Sequence, residues 1–153
     1  MLSQTVEYAL RAMVSLGMGE TRAQTAQEIA KASRVPLDYL SKILSSLARA
    51  GLVTAQRGRG GGFTATRSAD EITVLEVVSA VDPIQRIHSC PLGLAAHGTN
   101  LCPLHRKLDD VARSVEQAFS TTTIGALAAP SALGVTALCE GDKHHATTLH
   151  CLS

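Results

Sequence analysis

Cys90, Cys102 and His105 are the residues whose types and spacing point most directly to chemistry. His105 follows Cys102 by three positions, so the two share one face of a helix. Cys102 directly precedes Pro103, where a helix N-cap belongs. Exposed N–H groups and the helix dipole favour a thiolate there. A thiolate is the form that ligates iron or attacks a disulfide. The same residues also have ordinary uses: a cysteine packs as a small hydrophobe, and a histidine decorates a helix surface. Ligand type and spacing favour a bound cofactor over none. Disulfide exchange between Cys90 and Cys102 is the leading chemistry without one. Cys139 and Cys151 lie near His144, His145 and His150, but their spacings match no closed zinc pattern.

A second set of residues is basic and small. Ser41, Lys42, Ser45, Ser46 and Arg49 fall on one side of a helical pattern whose other side is Leu37, Leu40, Leu44 and Leu47. Small side chains let a helix approach base edges, and Lys42 or Arg49 can reach phosphates. Arg57-Gly58-Arg59-Gly60-Gly61-Gly62 then reads as a glycine turn carrying two arginines, suited to a minor groove or to phosphates, with Arg67 just behind. No Gly-Lys-Ser/Thr follows the glycines, so this is not a nucleotide P-loop.

The elements that position these groups follow from periodicity and caps. Ser3 to Met18 is expected to be helical, with Val6, Leu10, Met13 and Gly17 on one face. Thr25 to Glu28 has capping-box spacing and opens a short helix to Ser33. Pro36 fits the first position of a third helix, which Gly51 ends as a left-handed cap. Leu52 to Gln56 and Phe63 to Thr66 read as a β-hairpin around the glycines. Thr73 to Glu76 is a second capping box, opening a helix to Val81. Pro83, Pro91, Gly93 and Gly98 mark the next stretch as a long loop. A long helix begins at Cys102-Pro103, with Leu101, Leu104, Leu108, Val111, Val115 and Ala118 in a short heptad seam.

The order helix, helix, helix, hairpin, helix is that of a winged helix-turn-helix. The expected fold class is therefore mainly α: a winged helix over 1–82, a sensor loop over 83–101 and a dimerisation helix with a short extension over 102–127. Residues 128–153 are expected to form a weakly ordered tail.

The 153 residues suit one small domain with an appendage, and a net charge of +1 neither supports nor excludes DNA. No signal peptide is visible, and the closest approach to a membrane span, Ile124 to Cys139, is broken by Pro130 and two glycines. A cytoplasmic location is the expectation, in which cysteines are reduced, metal-bound or redox-sensing. No serine–histidine–acid order, nucleotide motif or paired carboxylates argue for an enzyme.

Several of these stretches together carry a resemblance. Val6-Glu7-Tyr8-Ala9-Leu10-Arg11, Tyr39-Leu40-Ser41-Lys42-Ile43-Leu44, Ala50-Gly51-Leu52-Val53 and Arg57 to Phe63 resemble, in order, the Rrf2 family of bacterial winged-helix transcription regulators, over about residues 1 to 127. Arg59 stands where many relatives carry proline. The resemblance implies a homodimeric repressor or activator, a repressor being preferred, on a near-palindromic double-stranded DNA operator. Ser41, Lys42, Ser45 and Arg49 would meet DNA from the third helix, with Arg57 and Arg59 on the wing.

In IscR-like members the loop carries three cysteines and a histidine that hold an iron–sulfur cluster. Cys90, Cys102 and His105 match the first cysteine, the third cysteine and the histidine. The middle position is Ala96, which cannot ligate; His97 beside it or His88 upstream could take that place. NsrR-like and RsrR-like members add a carboxylate from the partner's first helix, and Glu7 matches that position. Arg11 falls where RsrR-like members have a histidine. An acid in a first helical turn is also common simply because it suits the dipole. The preferred expectation is a [2Fe–2S] cluster on Cys90, Cys102 and His105, completed by Glu7 in trans, because two thiolates suit two irons better than four. The alternatives are a thiol/disulfide switch at Cys90 and Cys102, or a winged helix used as a protein-interaction module.

Overall fold

The computed structural model describes residues 2–19, 22–92 and 100–129. Its order is α1 (Gln4–Met18), α2 (Ala26–Ser33), α3 (Leu37–Arg49), β1 (Val53–Gln56), β2 (Gly62–Ala65), α4 (Val74–Val81), α5 (Pro103–Thr121) and α6 (Ile124–Ala128). This is the winged helix expected from the sequence, with a long helix after it.

Local chemistry sets the helix starts. The Ser3 hydroxyl accepts from the Val6 N–H at the head of α1. Both capping boxes form. In the first, the Thr25 hydroxyl accepts from the Glu28 N–H at 3.2 Å and the Thr25 N–H donates to the Glu28 carboxylate at 2.7 Å. The second repeats this between Thr73 and Glu76. Pro36 is the N-cap of α3 and not its first helical residue. Its ψ of 135° is extended and its carbonyl accepts from the Leu40 N–H. At the other end Gly51 takes φ 73°, the Gly51 N–H donates to Ala48, and the Leu52 N–H donates to Leu47. This double closure is a Schellman motif, and its left-handed residue favours glycine.

The Thr25 box has a pH consequence. The Thr25 backbone N–H, then Arg22, then the Thr25 hydroxyl lower the Glu28 carboxyl from 4.5 to about 2. A depressed carboxyl stabilises the fold above its unfolded value and loses that contribution as pH falls toward the folded one. Glu28→Gln should therefore lower the urea midpoint at neutral pH, and the gap should close as pH falls from 4.5 toward 2. A gap that stays constant with pH would contradict this.

One core unites α1, α2, α3, α4 and α6. Val6, Ala9, Met13, Ile29, Leu40, Leu44, Leu47, Val77 and Ile124 are buried in it. The faces are rotated slightly from the periodicity reading. Leu37 is 40% exposed and Ile43 is buried instead, while on α1 Ala9 and Leu16 are buried and Leu10 lies at the margin. The hairpin pairs Val53 with Ala65 and Gln56 with Gly62. Gln24, ahead of α2, adds a bridge to Phe63, with N–H···O distances of 3.0 and 2.7 Å. The wing is thereby tied to the loop before α2.

α5 behaves differently. Only Asp109 is buried on it, and Leu104, Leu108 and Val111 are 62%, 50% and 56% exposed. The chain then returns to the winged helix. The Val74 N–H donates to Thr122, the Ile124 N–H to Ile72 and the Gly125 N–H to Ala69. α6 thus shares the core of the winged helix instead of extending α5 alone. Among the described residues no helix is long and apolar enough to cross a membrane.

Candidate sensing site and nucleic-acid interface

The two cysteines and the histidine come together where α5 begins. Cys102 is the N-cap, Pro103 follows it, and the Arg106 N–H donates to the Cys102 carbonyl at 2.9 Å. One turn in, His105 Nδ1 lies 3.2 Å from Cys102 Sγ and 3.6 Å from Cys90 Sγ. All three candidate ligand atoms lie within 4.8 Å of one another. Sulfur and imidazole nitrogen on one tetrahedral metal sit about 3.5 Å apart, given bonds of about 2.3 and 2.0 Å. The cysteines are half-buried and not joined in a disulfide. The His105 backbone N–H holds the Cys102 thiol below its usual range, helped by Cys90 and the Leu104 N–H and opposed by burial. This donor set, with one thiol already biased toward thiolate, fits a soft metal centre.

The segment carrying Cys90 is pinned to α5 by ions. Arg86 Nε and Nη2 donate to the two Asp109 carboxylate oxygens at 2.6 and 2.7 Å, and Nη1 reaches Glu116 at 2.9 Å. The Ile87 N–H adds a bond to Asp109 at 2.9 Å. Arg86, before the Ile87 N–H, pulls the Asp109 carboxyl well below the ordinary carboxylate range. Sequence reasoning missed these residues. Asp109 and Glu116 do fall on the His105 face at steps of four and seven, but nothing local ties them to Arg86.

Glu7 is not part of this group. It is exposed on α1 and pairs with Arg11, whose guanidinium lies 6.0 Å from the Tyr8 ring centre. Tyr8 in turn meets Tyr39 of α3 edge-on at 6.1 Å. His88 is exposed and outside the group. Ala96, His97, Cys139, His144, His145, His150 and Cys151 lie outside the described residues.

Elsewhere on the fold, α3 presents Ser41, Lys42, Ser45, Ser46 and Arg49 around one open depression. Ser41 donates to the Leu37 carbonyl at 3.0 Å and Ser45 to the Ser41 carbonyl at 2.9 Å, which leaves each oxygen able to accept. The wing tip turns through Gly58 to Gly61, closed by the Gly61 N–H on the Gly58 carbonyl at 2.9 Å. Gly60 takes φ 78° in its third position, which favours glycine, and Arg59 stands exposed just before it. The described cations divide by partner. Arg11, Arg22, Arg67, Arg86 and Arg113 pair with acids; Lys31, Arg34, Arg106 and Lys107, and with them Lys42, Arg49, Arg57 and Arg59 of α3 and the wing, enter no ion pair among the described residues. Arg67 bonds Glu76 and the Glu71 carbonyl and so faces the body of the fold.

The Rrf2 family model, described as an iron-dependent transcriptional regulator, matches residues 2–130. The HTH-type transcriptional regulator IscR of Klebsiella pneumoniae strain 342 is 30% identical over 127 residues, covering 82% of this chain and 78% of that protein. Among solved structures, CymR, the global cysteine regulator of B. subtilis, superposes with a TM-score of 0.67 at 22% identity, covering 83% of this chain and 95% of that one. IscR of T. potens superposes with a TM-score of 0.66 at 21% identity, covering 83% and 85%. These likenesses to solved structures establish the fold.

Proposed function

The chain belongs to the Rrf2 family of transcription regulators, and from that premise we propose that it is a DNA-binding repressor switched by a [2Fe–2S] cluster at Cys90, Cys102 and His105. The observation that carries the reading is the meeting of two sulfurs and an imidazole nitrogen within 4.8 Å at the head of α5. Glu7 from a second copy of the chain is the proposed fourth ligand. When bound, the cluster would supply a one-electron redox change and sensitivity to oxidants and nitric oxide.

The chain's own residues do the rest. The His105 backbone N–H favours thiolate at Cys102. Ser41, Lys42, Ser45 and Arg49 of α3 enter the operator's major groove or meet its edges, while Arg57 and Arg59 follow the adjacent backbone or minor groove. A change at the head of α5 shifts that helix and hence the spacing of the two recognition helices.

Homodimerisation through α5 is part of the proposal. Leu104, Leu108 and Val111, continued by Val115 and Ala118, form a stripe at steps of four and three whose first three members are half-exposed or more. A second copy burying it removes that apolar surface from water. Leu108→Glu should give a monomer in sedimentation and lower operator affinity roughly 10²-fold, because each half-site then binds alone. A Leu108→Glu protein that remained dimeric would move the interface elsewhere.

A thiol switch is the second reading, favoured by the proximity of the two sulfurs. Cys90 and Cys102 would each lose a proton and together pass two electrons to a disulfide or peroxide oxidant, forming one S–S bond. The test is operator selection from genomic fragments, followed by affinity measurement on cluster-loaded, cluster-free reduced and cluster-free oxidised protein. The cluster reading expects the first two to differ by roughly 5-fold or more. A difference confined to the last two supports the thiol reading. No operator in any state would contradict the DNA-binding proposal.

A further inference from the structure

We propose that Arg86 is the positioning residue of the sensing site, holding the segment that carries Cys90 against α5 so that Cys90 stays beside Cys102 and His105. The inference deepens the sensing-site reading and rests on it.

α5 touches the core at its margin through Phe119 but buries no apolar residue fully. The residue it buries is an acid, Asp109, which is 6% exposed. Arg86 bridges both oxygens of that carboxylate and extends its third nitrogen to Glu116. All three guanidinium nitrogens are therefore committed to one helix face. The neighbouring Ile87 backbone N–H donates to the same carboxylate at 2.9 Å, so the main chain is fixed as well as the side chain.

The geometry passes directly to the site. Asp109 lies one turn after His105, and Cys90 lies three residues after Ile87. Three residues reach at most about 10 Å. A segment pinned at Ile87 therefore keeps Cys90 within range of the first turn of α5. The direct chain connection between the two cysteines, residues 91–101, is longer and constrains them less than this non-covalent pin.

Fork geometry and charge are separable here. A lysine keeps the charge but cannot span two carboxylate oxygens and Glu116 at once. Loss of the fork leaves the buried Asp109 carboxylate with the Ile87 N–H and the more distant Arg113, at 3.6 Å. That is an unfavourable state, and the segment relieves it by lifting away so that water enters.

The test is a thiol–disulfide equilibrium on the full-length, metal-free protein. Two protein thiols react with one glutathione disulfide to give the protein disulfide and two glutathione thiols. Peptide mapping by mass spectrometry quantifies the Cys90–Cys102 disulfide specifically. The effective concentration of the two thiols is the squared glutathione thiol concentration, divided by the glutathione disulfide concentration, at which half the protein is oxidised. Arg86→Ala should lower that effective concentration about 10-fold or more, Arg86→Lys by a smaller factor, and Glu116→Gln least. The cooperative unfolding of the winged helix, followed by circular dichroism, should be preserved in Arg86→Lys and Glu116→Gln. If Arg86→Ala proves unfolded, the Arg86→Lys ratio decides.

Equal effective concentrations in wild type and a folded Arg86 variant would overturn the proposal. So would a wild-type protein that forms no Cys90–Cys102 disulfide at any ratio. Iron and sulfide content of the wild type tests the cluster separately, so either reading can fail while the other stands.

Discussion

Cys102→Ala is expected to abolish the signal-dependent change in operator affinity while leaving the winged helix folded. Cys102 has two roles at one point. Its backbone caps α5, with the carbonyl accepting from Arg106, and its sulfur stands 3.2 Å from His105 Nδ1. Alanine keeps the backbone role and deletes the sulfur. The side chain is half-buried and outside the core that unites α1, α2, α3, α4 and α6, so the thermal midpoint should move by only a few degrees. Iron retention should fall to background, because three ligands from this chain become two. A wild-type response of roughly 5-fold or more should shrink to less than about 2-fold. A Cys102→Ala protein that still responded normally would place the sensing chemistry elsewhere.

The second large effect is expected on the wing. Arg57 precedes and Arg59 sits within the turn held by the Gly58–Gly61 hydrogen bond; both are exposed and enter no ion pair among the described residues. Cations without acidic partners are available for phosphates. Every phosphate that a variant no longer neutralises takes about 0.9 off the slope of log affinity against log salt. With two arginines per protomer, the double variant Arg57→Ala/Arg59→Ala should reduce the magnitude of that slope by about 2 to 4 for a dimer. Affinity at low salt should fall by about 10²-fold or more. Arg67→Ala is the control. Its guanidinium is engaged by Glu76 and Glu71, so it should alter stability and leave the slope unchanged. An unchanged slope in the wing double variant would show that the wing does not touch phosphates.

Much of the fold is legible in short-range chemistry. Thr25 with Glu28 and Thr73 with Glu76 announce their helices because both partners of each box lie within one turn. Gly51 announces the end of α3 for a similar reason: a left-handed residue must follow the last turn, and glycine takes that conformation readily. Small rotations of face are not legible. The leucine pattern includes Leu37, but at the start of α3 that residue is 40% exposed, whereas Ile43, outside the pattern, is buried with Leu40, Leu44 and Leu47.

What escapes the sequence is non-local. The Gln24–Phe63 bridge joins residues that no local pattern relates. α6 looks like an appendage to α5, yet Ile124 is fully buried because Thr122 and Ile124 pair with residues before and after Thr73. The sensing site divides in the same way. Cys90, Cys102 and His105 stand out by type and spacing. Arg86, Asp109 and Glu116 are ordinary surface residues in sequence, and become a clamp only when the loop folds back on α5. Glu7, proposed to act from a second copy, pairs in this chain with Arg11.

Anaerobic purification, with an absorption spectrum and iron and acid-labile sulfide analysis, decides whether Cys90, Cys102 and His105 hold a cluster. A [2Fe–2S] protein should show visible charge-transfer bands with about two irons and two sulfides per protomer, lost in Cys90→Ala and Cys102→Ala. A colourless protein without iron, and resistant to reconstitution, would contradict the cluster and leave the thiol pair as the sensing chemistry to pursue.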